Sequence, residues 1–161
     1  MKIFFYIISI LLISTYVFAA GSDSSSDSSV SDPYKDAKNL VKRAGKLENK
    51  DKIDKAKKLY AQAFKKLEKA YSSDKNNPDI LNYMGYTSRK IGNFDQAEKF
   101  YLRGLNIKPD HNGINEYLGE LYVQTNRIDK AKERLEVLKS CNCEEFKELE
   151  LIIKTRGTKV Y

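Results

Sequence analysis

The sequence predicts an all-α protein built as a stack of antiparallel helix pairs, and three observations carry that prediction. Similar residues recur at an interval of 34 positions, and glycine or asparagine stands at the turns between segments of helical apolar periodicity. The composition favours helix formers, with only three prolines and no tryptophan in 161 residues. An interval of this length is typical of proteins in which each repeat is one supersecondary unit, and the chain length fits a single domain.

Small residues at matching positions carry the repeat. Gly85 recurs as Gly119 and Ala97 as Ala131, each pair 34 residues apart. Each copy is predicted to be two antiparallel helices, with the glycine on the first helix and the alanine on the second. Small side chains there let two helices approach closely. The apolar seam between the helices is predicted at Leu81, Met84, Phe94, Tyr101 and Leu105, which recur at helical spacing.

The turns and helix ends follow from residues with defined backbone preferences. Gly92-Asn93 and Asn126-Arg127 are predicted to join the two helices of successive copies. Asn77 before Pro78 predicts a helix start, because asparagine caps a first turn and proline suits the first helical position. Pro109 is expected to end the second helix of that copy.

Residues 78–109 resemble a tetratricopeptide repeat (TPR). The family pattern of a large apolar residue, two glycines, alanine, an aromatic, a small residue and proline is met at Leu81, Gly85, Gly92, Ala97, Tyr101, Gly104 and Pro109. The resemblance implies a short right-handed superhelical stack of helix pairs, a TPR solenoid with flanking capping helices. The layout as a whole resembles the small exported TPR proteins of Gram-negative bacteria, which implies a protein- or peptide-binding scaffold without a cofactor.

The resemblance is uneven along the chain. The next copy matches at Gly119, Tyr122, Ala131 and Leu135, although Cys143 stands where proline is usual. Upstream, only a second helix matches, through Ala63, Leu67 and Ala70. Asp51 falls where the family has glycine in the first helix, so this unit is predicted to be degenerate.

The predicted organisation has seven segments. They are a signal peptide (1–19), a disordered Ser/Asp-rich linker (20–32), a degenerate N-terminal helical repeat (33–77), two TPR repeats (78–111 and 112–142), a C-terminal capping helix (143–155) and a tail (156–161). About three repeats are normally needed for stability. The capping helix is therefore expected to cover the end of the stack with Phe146, Leu149 and Ile153.

The first nineteen residues are predicted to direct export. Lys2 precedes an apolar stretch, and Val17-Phe18-Ala19 places small residues where a signal peptidase requires them. Cleavage is expected after Ala19 or Ala20, which gives a periplasmic or secreted protein with no stable membrane span. The alternative is an uncleaved membrane anchor, since the apolar run just reaches the length of a span.

The charge balance is basic. The formal net charge of +7 falls to +6 when residues 1–19 and their single lysine are removed. Such a surface suits anionic partners, although charges that alternate in sign along helices are typical of an ordinary solvated surface. No nucleic-acid partner is expected, and a basic module that docks to an anionic polymer or membrane surface is kept as an alternative function.

Motifs for catalysis are not found in the sequence, and the protein is predicted not to be an enzyme. The chain contains no Gly-rich phosphate loop, metalloprotease helix motif or nucleophile elbow. Its one histidine, His111, is expected to be a solvated residue of the turn after Pro109.

Cys141-Asn142-Cys143 is the one unusual constellation. In an oxidising compartment two nearby thiols are expected to form a local disulfide. Reduced or intermolecular cysteines are an alternative. So is a small redox or soft-metal-handling function, although two thiolates without histidine are an incomplete zinc set and no metal is expected.

The resemblance also implies where a partner would bind. In TPR domains that bind peptides, the first helices of successive repeats line a concave groove. The corresponding positions here are Asn82, Tyr86, Arg89, Lys90, Glu116, Glu120 and Gln124. Asn82 and Arg89 suit a carboxylate, but acidic residues stand where further cations would be needed, which indicates a mixed-charge partner. The alternative is an ordinary solvated face. Tyr83, Tyr117 and Tyr122 are predicted to pack in the seam between helices.

Overall fold

The computed structural model describes residues 32–156, which form seven α-helices and no strand. The helices are α1 (Pro33–Glu48), α2 (Ile53–Ser73), α3 (Pro78–Lys90), α4 (Phe94–Ile107), α5 (Asn112–Gln124), α6 (Ile128–Leu138) and α7 (Glu144–Lys154). The prediction of an all-α stack is confirmed. The predicted signal peptide, the linker up to residue 31 and the tail from residue 157 lie outside the described residues.

The helices pack as three consecutive pairs and a seventh helix. α1 packs on α2, α3 on α4, and α5 on α6, while α3 also contacts both α1 and α5. The first helices of the three pairs therefore lie side by side. α7 packs on both α5 and α6, in the place that the first helix of a further pair would occupy.

Side-chain caps fix the starts of α1 and α3. Asp32 accepts a hydrogen bond from the Tyr34 backbone N–H at 2.9 Å, ahead of Pro33. Asn77 accepts from the two N–H groups of residues 79 and 80, ahead of Pro78, as its sequence predicted. Each cap satisfies backbone donors that have no partner within the helix.

The turns inside the three pairs share one residue conformation. Asp51, Gly92 and Asn126 have φ values of 53°, 92° and 59°, the left-handed region that suits glycine and tolerates aspartate and asparagine. The prediction that Asp51 lies in a first helix is therefore wrong. It is the turn residue, and Ala44 lies seven positions before it, as Gly85 lies before Gly92.

The reason for this misplacement is the length of α2. It has 21 residues where α4 has 14, and the extra seven residues are two helical turns. Ala44 is fully buried on α1 and takes the position that glycine has in the next two pairs. The first pair is therefore a complete helix hairpin. Its first helix lies seven residues further upstream than the repeat interval of 34 residues predicts.

The two repeat glycines meet different helices. A Cβ atom on Gly85 would overlap the ring of Tyr101 on α4, which confirms the predicted close approach within that pair. A Cβ on Gly119 would instead lie 2.6 Å from Leu149 Cδ1 on α7. The glycine of the third pair thus makes room for the seventh helix and not for its own partner helix.

The predicted apolar seam is buried except at one end. Leu81, Met84, Tyr101 and Leu105 lie in the core, whereas Phe94, the first residue of α4, is 38% exposed, so its assignment to the seam is wrong. On α7, Leu149 and Ile152 are the buried residues, and the predicted Phe146 and Ile153 are partly buried beside them.

Candidate functional site

A concave cavity of about 510 Å³ lies along the first helices of the pairs, and we call it the groove. α1 contributes Tyr34, Lys38 and Val41, and α3 contributes Asp79, Asn82, Tyr83 and Tyr86. α5 contributes Gly113, Glu116, Tyr117 and its capping residue His111, and α7 contributes Glu145. The groove therefore runs across all three pairs and ends at the start of α7.

Four half-buried tyrosines form much of the groove surface. Tyr34 and Tyr83 meet edge to face with ring centroids 5.6 Å apart, and Tyr86 and Tyr117 lie 5.0 Å apart. Tyr83 and Tyr117 also pack against the core, so the predicted seam packing describes only one side of each ring. Burial raises the pKa of both hydroxyls above the ordinary value of 10, so they stay neutral across the physiological pH range and beyond it.

Arg89 and Glu120 form a buried ion pair beneath these rings. Arg89 Nη1 lies 2.6 Å from Glu120 Oε2, and the two residues are only 4% and 7% exposed. The guanidinium lies under the rings of Tyr86 and Tyr117, at 5.6 and 5.7 Å from their centroids. The alternative of a solvated face is wrong for this pair, and Arg89 already holds a carboxylate of its own chain.

Burial acts on both residues of that pair, and each residue opposes its effect on the other. Burial alone lowers the pKa of Arg89, but the carboxylate of Glu120 more than offsets this and raises it. Burial raises the pKa of Glu120 above its usual range, and the Arg89 guanidinium offsets part of that rise. The pair thus holds α3 against α5 and fixes the floor of the groove.

Lys90 and Gln124 lie outside the cavity. Lys90 Nζ is 2.8 Å from Glu48 Oε2, and the same oxygen accepts a hydrogen bond from the Tyr60 hydroxyl at 2.8 Å. This bridge ties α3 to α1. Gln124 is exposed at the end of α5. Of the seven predicted contact positions, the structure brings Asn82, Tyr86 and Glu116 together in the groove.

Glu116 is a buried carboxyl among other carboxyls. It is 3% exposed. Burial, a hydrogen bond with Glu148 on α7, and the charges of Glu120, Glu148 and Glu145 raise its pKa to about 10. Glu116 is therefore protonated at neutral pH and donates to the Glu148 carboxylate. The sequence offered a signal for these α7 partners, since residues 145 and 148 are acidic and lie three positions apart on one helix face.

Asn82 presents an unsatisfied acceptor at the groove. The residue is 8% exposed, and its Oδ1 accepts no hydrogen bond from any described residue. Its Nδ2 lies against Gly113, where a Cβ atom would be 2.9 Å away. A buried polar atom without a partner is costly, and Oδ1 itself has less than 1 Å² of accessible surface in the unbound groove.

His111 is a structural link and not the solvated turn residue that was predicted. Its Nδ1 accepts from the Ile114 backbone N–H at 3.2 Å and thereby caps α5. Its Nε2 then carries the proton and donates to Asp79 Oδ1 at 3.1 Å. The side chain is only 12% exposed. His111 therefore joins the starts of α3 and α5 at one edge of the groove.

The cysteines lie away from the groove. A disulfide joins Cys141 and Cys143 in the connection between α6 and α7. Within residues 32–156, histidine, cysteine and acidic side chains form no group of three suited to a metal ion. None of the helices in this range is long and apolar enough to cross a membrane.

Comparison with known proteins agrees with the repeat pattern. The family model for the tetratricopeptide repeat matches residues 55–115. The chain is 31% identical over 71 residues to the protein O-mannosyl-transferase TMTC3 of Homo sapiens and 30% identical to that of Mus musculus. The match spans 44% of this chain but only 8% of either transferase.

Solved structures to which this chain is similar include two peptide complexes. One is the type III secretion chaperone SycD of Yersinia enterocolitica with a peptide of the translocator YopD (18% identity, 74% of this chain, 88% of that chain, TM-score 0.46). Another is the first TPR of Spaghetti (RPAP3) bound to an HSP90 peptide (19% identity, 78% of this chain, 96% of that chain, TM-score 0.47). Residues 55–115 thus carry the tetratricopeptide repeat that the sequence predicted, and this repeat is typical of scaffolds for protein interaction.

Proposed function

We propose that the protein is a non-enzymatic scaffold that binds a peptide segment of a protein partner in the groove. The observation that carries this proposal is the cavity itself, which combines four tyrosines with the polar residues Asn82 and Glu116. Its volume of about 510 Å³ lies within the range of sites that bind small ligands or peptide side chains. Half-buried tyrosines supply a large contact area and a polar tip at low entropic cost.

The groove is also held in one shape before any partner binds. The Arg89–Glu120 pair lies beneath two of the tyrosines, and His111 joins the starts of two first helices. Rigid contact surfaces lose less conformational entropy on association. These links support a groove that is largely preformed.

A selection experiment tests this proposal. The full chain is used to select peptides from a displayed library, and the selected peptides are measured by fluorescence anisotropy. The double variant Asn82→Ala/Tyr86→Ala is expected to bind at least about tenfold more weakly, a loss of about 1.4 kcal/mol. The control Leu102→Ala/Val137→Ala changes exposed apolar residues on second helices and should bind as the unchanged protein does.

Two results would contradict groove binding. One is equal affinity of the selected peptides for the Asn82→Ala/Tyr86→Ala variant and the unchanged protein. The other is binding that survives this variant but disappears in 0.5 M salt (a screening length of about 4 Å). That second result would favour the basic-surface alternative, since counterion release makes such binding steeply dependent on salt.

The hydrogen bonds of His111 support a scaffold without catalytic activity. His111 uses both ring nitrogens, one to cap α5 and one to bind Asp79. A general base needs a free nitrogen or oxygen within reach of the substrate proton, so His111 would have to break the cap to act. The transferase activity named for TMTC3 belongs to a protein of which this chain covers 8%, and we do not propose it here.

We further propose that the protein is exported, with residues 1–19 removed. The apolar stretch with its small-residue site supports this, and so does the disulfide between Cys141 and Cys143, which an oxidising compartment favours. N-terminal sequencing and intact mass of protein from the cell-envelope fraction test the proposal. We expect a chain that begins at residue 20 or 21, whereas a full-length chain in the membrane pellet would favour the anchor.

A further inference from the structure

The positive charge of the described chain lies in the first helix pair. Residues 33–73 contain 13 lysines and arginines and 5 acidic residues, whereas residues 74–156 contain 14 of each kind. The α1–α2 end of the stack is therefore strongly basic, and the remainder of the described chain carries no formal net charge. Such a separation concentrates a positive field at one end of the molecule.

The cations of the first pair are exposed and lack acidic partners. Twelve of the thirteen are exposed, and none of the twelve forms an ion pair with a described residue. The thirteenth, Lys66, lies 2.9 Å from Asp36. The opposite end of the stack differs, because four surface lysines at α6 and α7 each lie within 3.5 Å of a carboxylate three or four residues away in the sequence.

Six of the unpaired cations share one outward surface, which we call the basic face. They are Arg43 and Lys46 of α1 and Lys55, Lys58, Lys65 and Lys69 of α2. Successive lysines of the α2 set are three, seven and four residues apart, which places all four on one side of that helix. The ion pair between Lys66 and Asp36 shows that this side of α2 adjoins α1. The two helices therefore present their cations on a common surface.

The basic face and the groove lie on different sides of α1. Tyr34, Lys38 and Val41 of α1 line the groove. Arg43 instead lines a cleft between α1 and α2, together with Lys66. The basic face is therefore a second surface, and a partner on it would leave the groove accessible.

Like charges on neighbouring helical turns make the basic face unfavourable in the isolated protein. Lys55 and Lys58 are three residues apart, and Lys65 and Lys69 are four residues apart. Like charges at these spacings destabilise a helix. A terminal repeat needs a polar outer surface for solubility, but the paired charges of α6 and α7 supply one without this repulsion. The single sign of charge on the basic face therefore indicates an anionic partner.

The residue types of the basic face favour one kind of anionic partner. Five of its six cations are lysines, whose compact ammonium groups suit a diffuse field of charge better than a bidentate contact. The six residues include no aromatic side chain on which a nucleic-acid base could stack. Residues 20–31 of this chain contain only two acidic residues, too few to neutralise an excess of eight cations.

We infer that the basic face docks the protein on the surface of a membrane that contains anionic phospholipids. Two antiparallel helices side by side form a flat surface, and α2 with its 21 residues extends it to about 30 Å. A bilayer presents its phosphates in a plane, and each lysine or arginine near an anionic bilayer strengthens binding by charge alone. This inference goes beyond the proposed function and does not depend on peptide binding in the groove.

Partition between two kinds of vesicle tests the inference. The full chain is mixed with vesicles of phosphatidylcholine, either alone or with about one-third phosphatidylglycerol, at about 0.1 M salt, and the bound fraction is measured by co-sedimentation. The partition coefficient is expected to be at least about 100-fold greater with the anionic lipid. Any contribution of the apolar residues 1–19 in an unprocessed chain cancels in this ratio, because it does not depend on the charge of the lipid.

Matched variants locate the charges that bind the vesicle. Lys58→Gln/Lys65→Gln should lower the ratio of the two partition coefficients at least about fivefold. Lys139→Gln/Lys147→Gln removes the same net charge at the opposite end of the stack and should change this ratio less than about twofold, because charges more than about 10 Å from the bilayer are screened. Circular dichroism melts establish that both variants are folded. Equal losses for the two variants would overturn the assignment to the basic face.

Two further results would contradict membrane docking. One is equal partition of the unchanged protein into neutral and anionic vesicles. The other is found with a labelled single-stranded DNA of about 20 nucleotides, measured by anisotropy. If Lys58→Gln/Lys65→Gln weakens DNA binding but leaves the vesicle ratio unchanged, the basic face binds a nucleic acid and not a membrane. Peptides selected for the groove should bind this variant with unchanged affinity, so a failure of membrane docking is distinct from a failure of the proposed function.

Discussion

Glu116 and Glu120 lie one turn apart on the same helix and are buried to nearly the same extent, yet they are stabilised in opposite ways. Glu120 meets Arg89 of α3 in an ion pair at 2.6 Å, and this cation counteracts the effect of burial on its carboxyl. Glu116 meets Glu148 of α7 and keeps its proton. The carboxyl at the floor, between α3 and α5, is thus paired with a cation, whereas Glu116, between α5 and α7, forms no ion pair with a described lysine or arginine.

The largest expected effect concerns the buried ion pair between Arg89 and Glu120 at the floor of the groove. Arg89→Met leaves Glu120 buried without its cation, and breaking a buried pair in this way typically costs about 3–5 kcal/mol. Urea denaturation measures the loss. The control Lys66→Met breaks the exposed pair with Asp36 and should cost less than about 1 kcal/mol. Similar losses of stability for the two variants would show that the Arg89–Glu120 pair does not hold α3 against α5.

The next effect tests the packing of α7 against α5. Gly119→Leu should overlap Leu149 and cost about 1–3 kcal/mol or more, since the side chain would have to displace α7 from α5. Gly45→Ala is the matched control, because nothing lies within 4 Å of its Cβ position and alanine is favoured in a helix by about 0.5–1 kcal/mol. A thermal midpoint that Gly119→Leu leaves unchanged would contradict the contact between α5 and α7.

The third effect concerns the proton on Glu116. Its folded-state pKa of about 10 lies above its ordinary value of 4.5, so the folded protein keeps a proton that the unfolded chain loses between these values. This contribution to stability is therefore full below pH 4.5 and falls as the pH rises towards 10. Glu116→Gln has no such proton, and its free energy of unfolding relative to the unchanged protein should increase by about 4 kcal/mol from pH 5 to pH 8, at about 1.4 kcal/mol per pH unit.

Thermal melts across this pH range measure that difference. Glu136→Gln, at an exposed surface pair on α6, is the control and should stay within about 0.5 kcal/mol of the unchanged protein at every pH. If the free energies of unfolding of the Glu116→Gln and unchanged proteins change with pH in the same way, Glu116 does not keep its proton in the folded protein.

The smallest effect is expected at the cysteines, which lie outside both ends of the groove. Cys141→Ser/Cys143→Ser should cost about 1–2 kcal/mol, because so short a loop restricts the unfolded chain little. Peptide affinity should be unchanged. Thiol labelling of the exported protein should be negligible until a reductant is added. Free thiols that carry a stoichiometric soft metal would instead support the redox or metal-handling alternative.

The sequence predicted the helix pairs because their signals are local. Caps, turn residues and the spacing of Gly85 and Gly119 are all readable within about one repeat. It misplaced the first helix because the extra seven residues of α2 are nearly two full turns, which leave the apolar face of a helix almost unchanged. Ala63 and Leu67 therefore still matched the repeat while the register upstream of them had shifted.

The site was harder to predict than the fold for a physical reason. Helical periodicity places Glu116 and Glu120 on the groove side, but it does not say which side chain of another helix each will meet. Arg89 was expected to face a partner and is instead bound to Glu120. The apolar face of α7 was predicted, and Glu148 was expected to point outward from it, but its carboxyl interacts with Glu116 of α5. These pairings depend on tertiary contacts between residues about 30 positions apart.

The most direct test of the central claim is the pKa of Glu116 itself, measured by carbon-13 NMR of its side-chain carboxyl in the full chain. In the folded protein we expect a pKa of about 10, because burial among other carboxyls raises it far above the ordinary value of 4.5. A pKa near 4.5 would contradict a buried Glu116 that keeps its proton beside the carboxyls of α7.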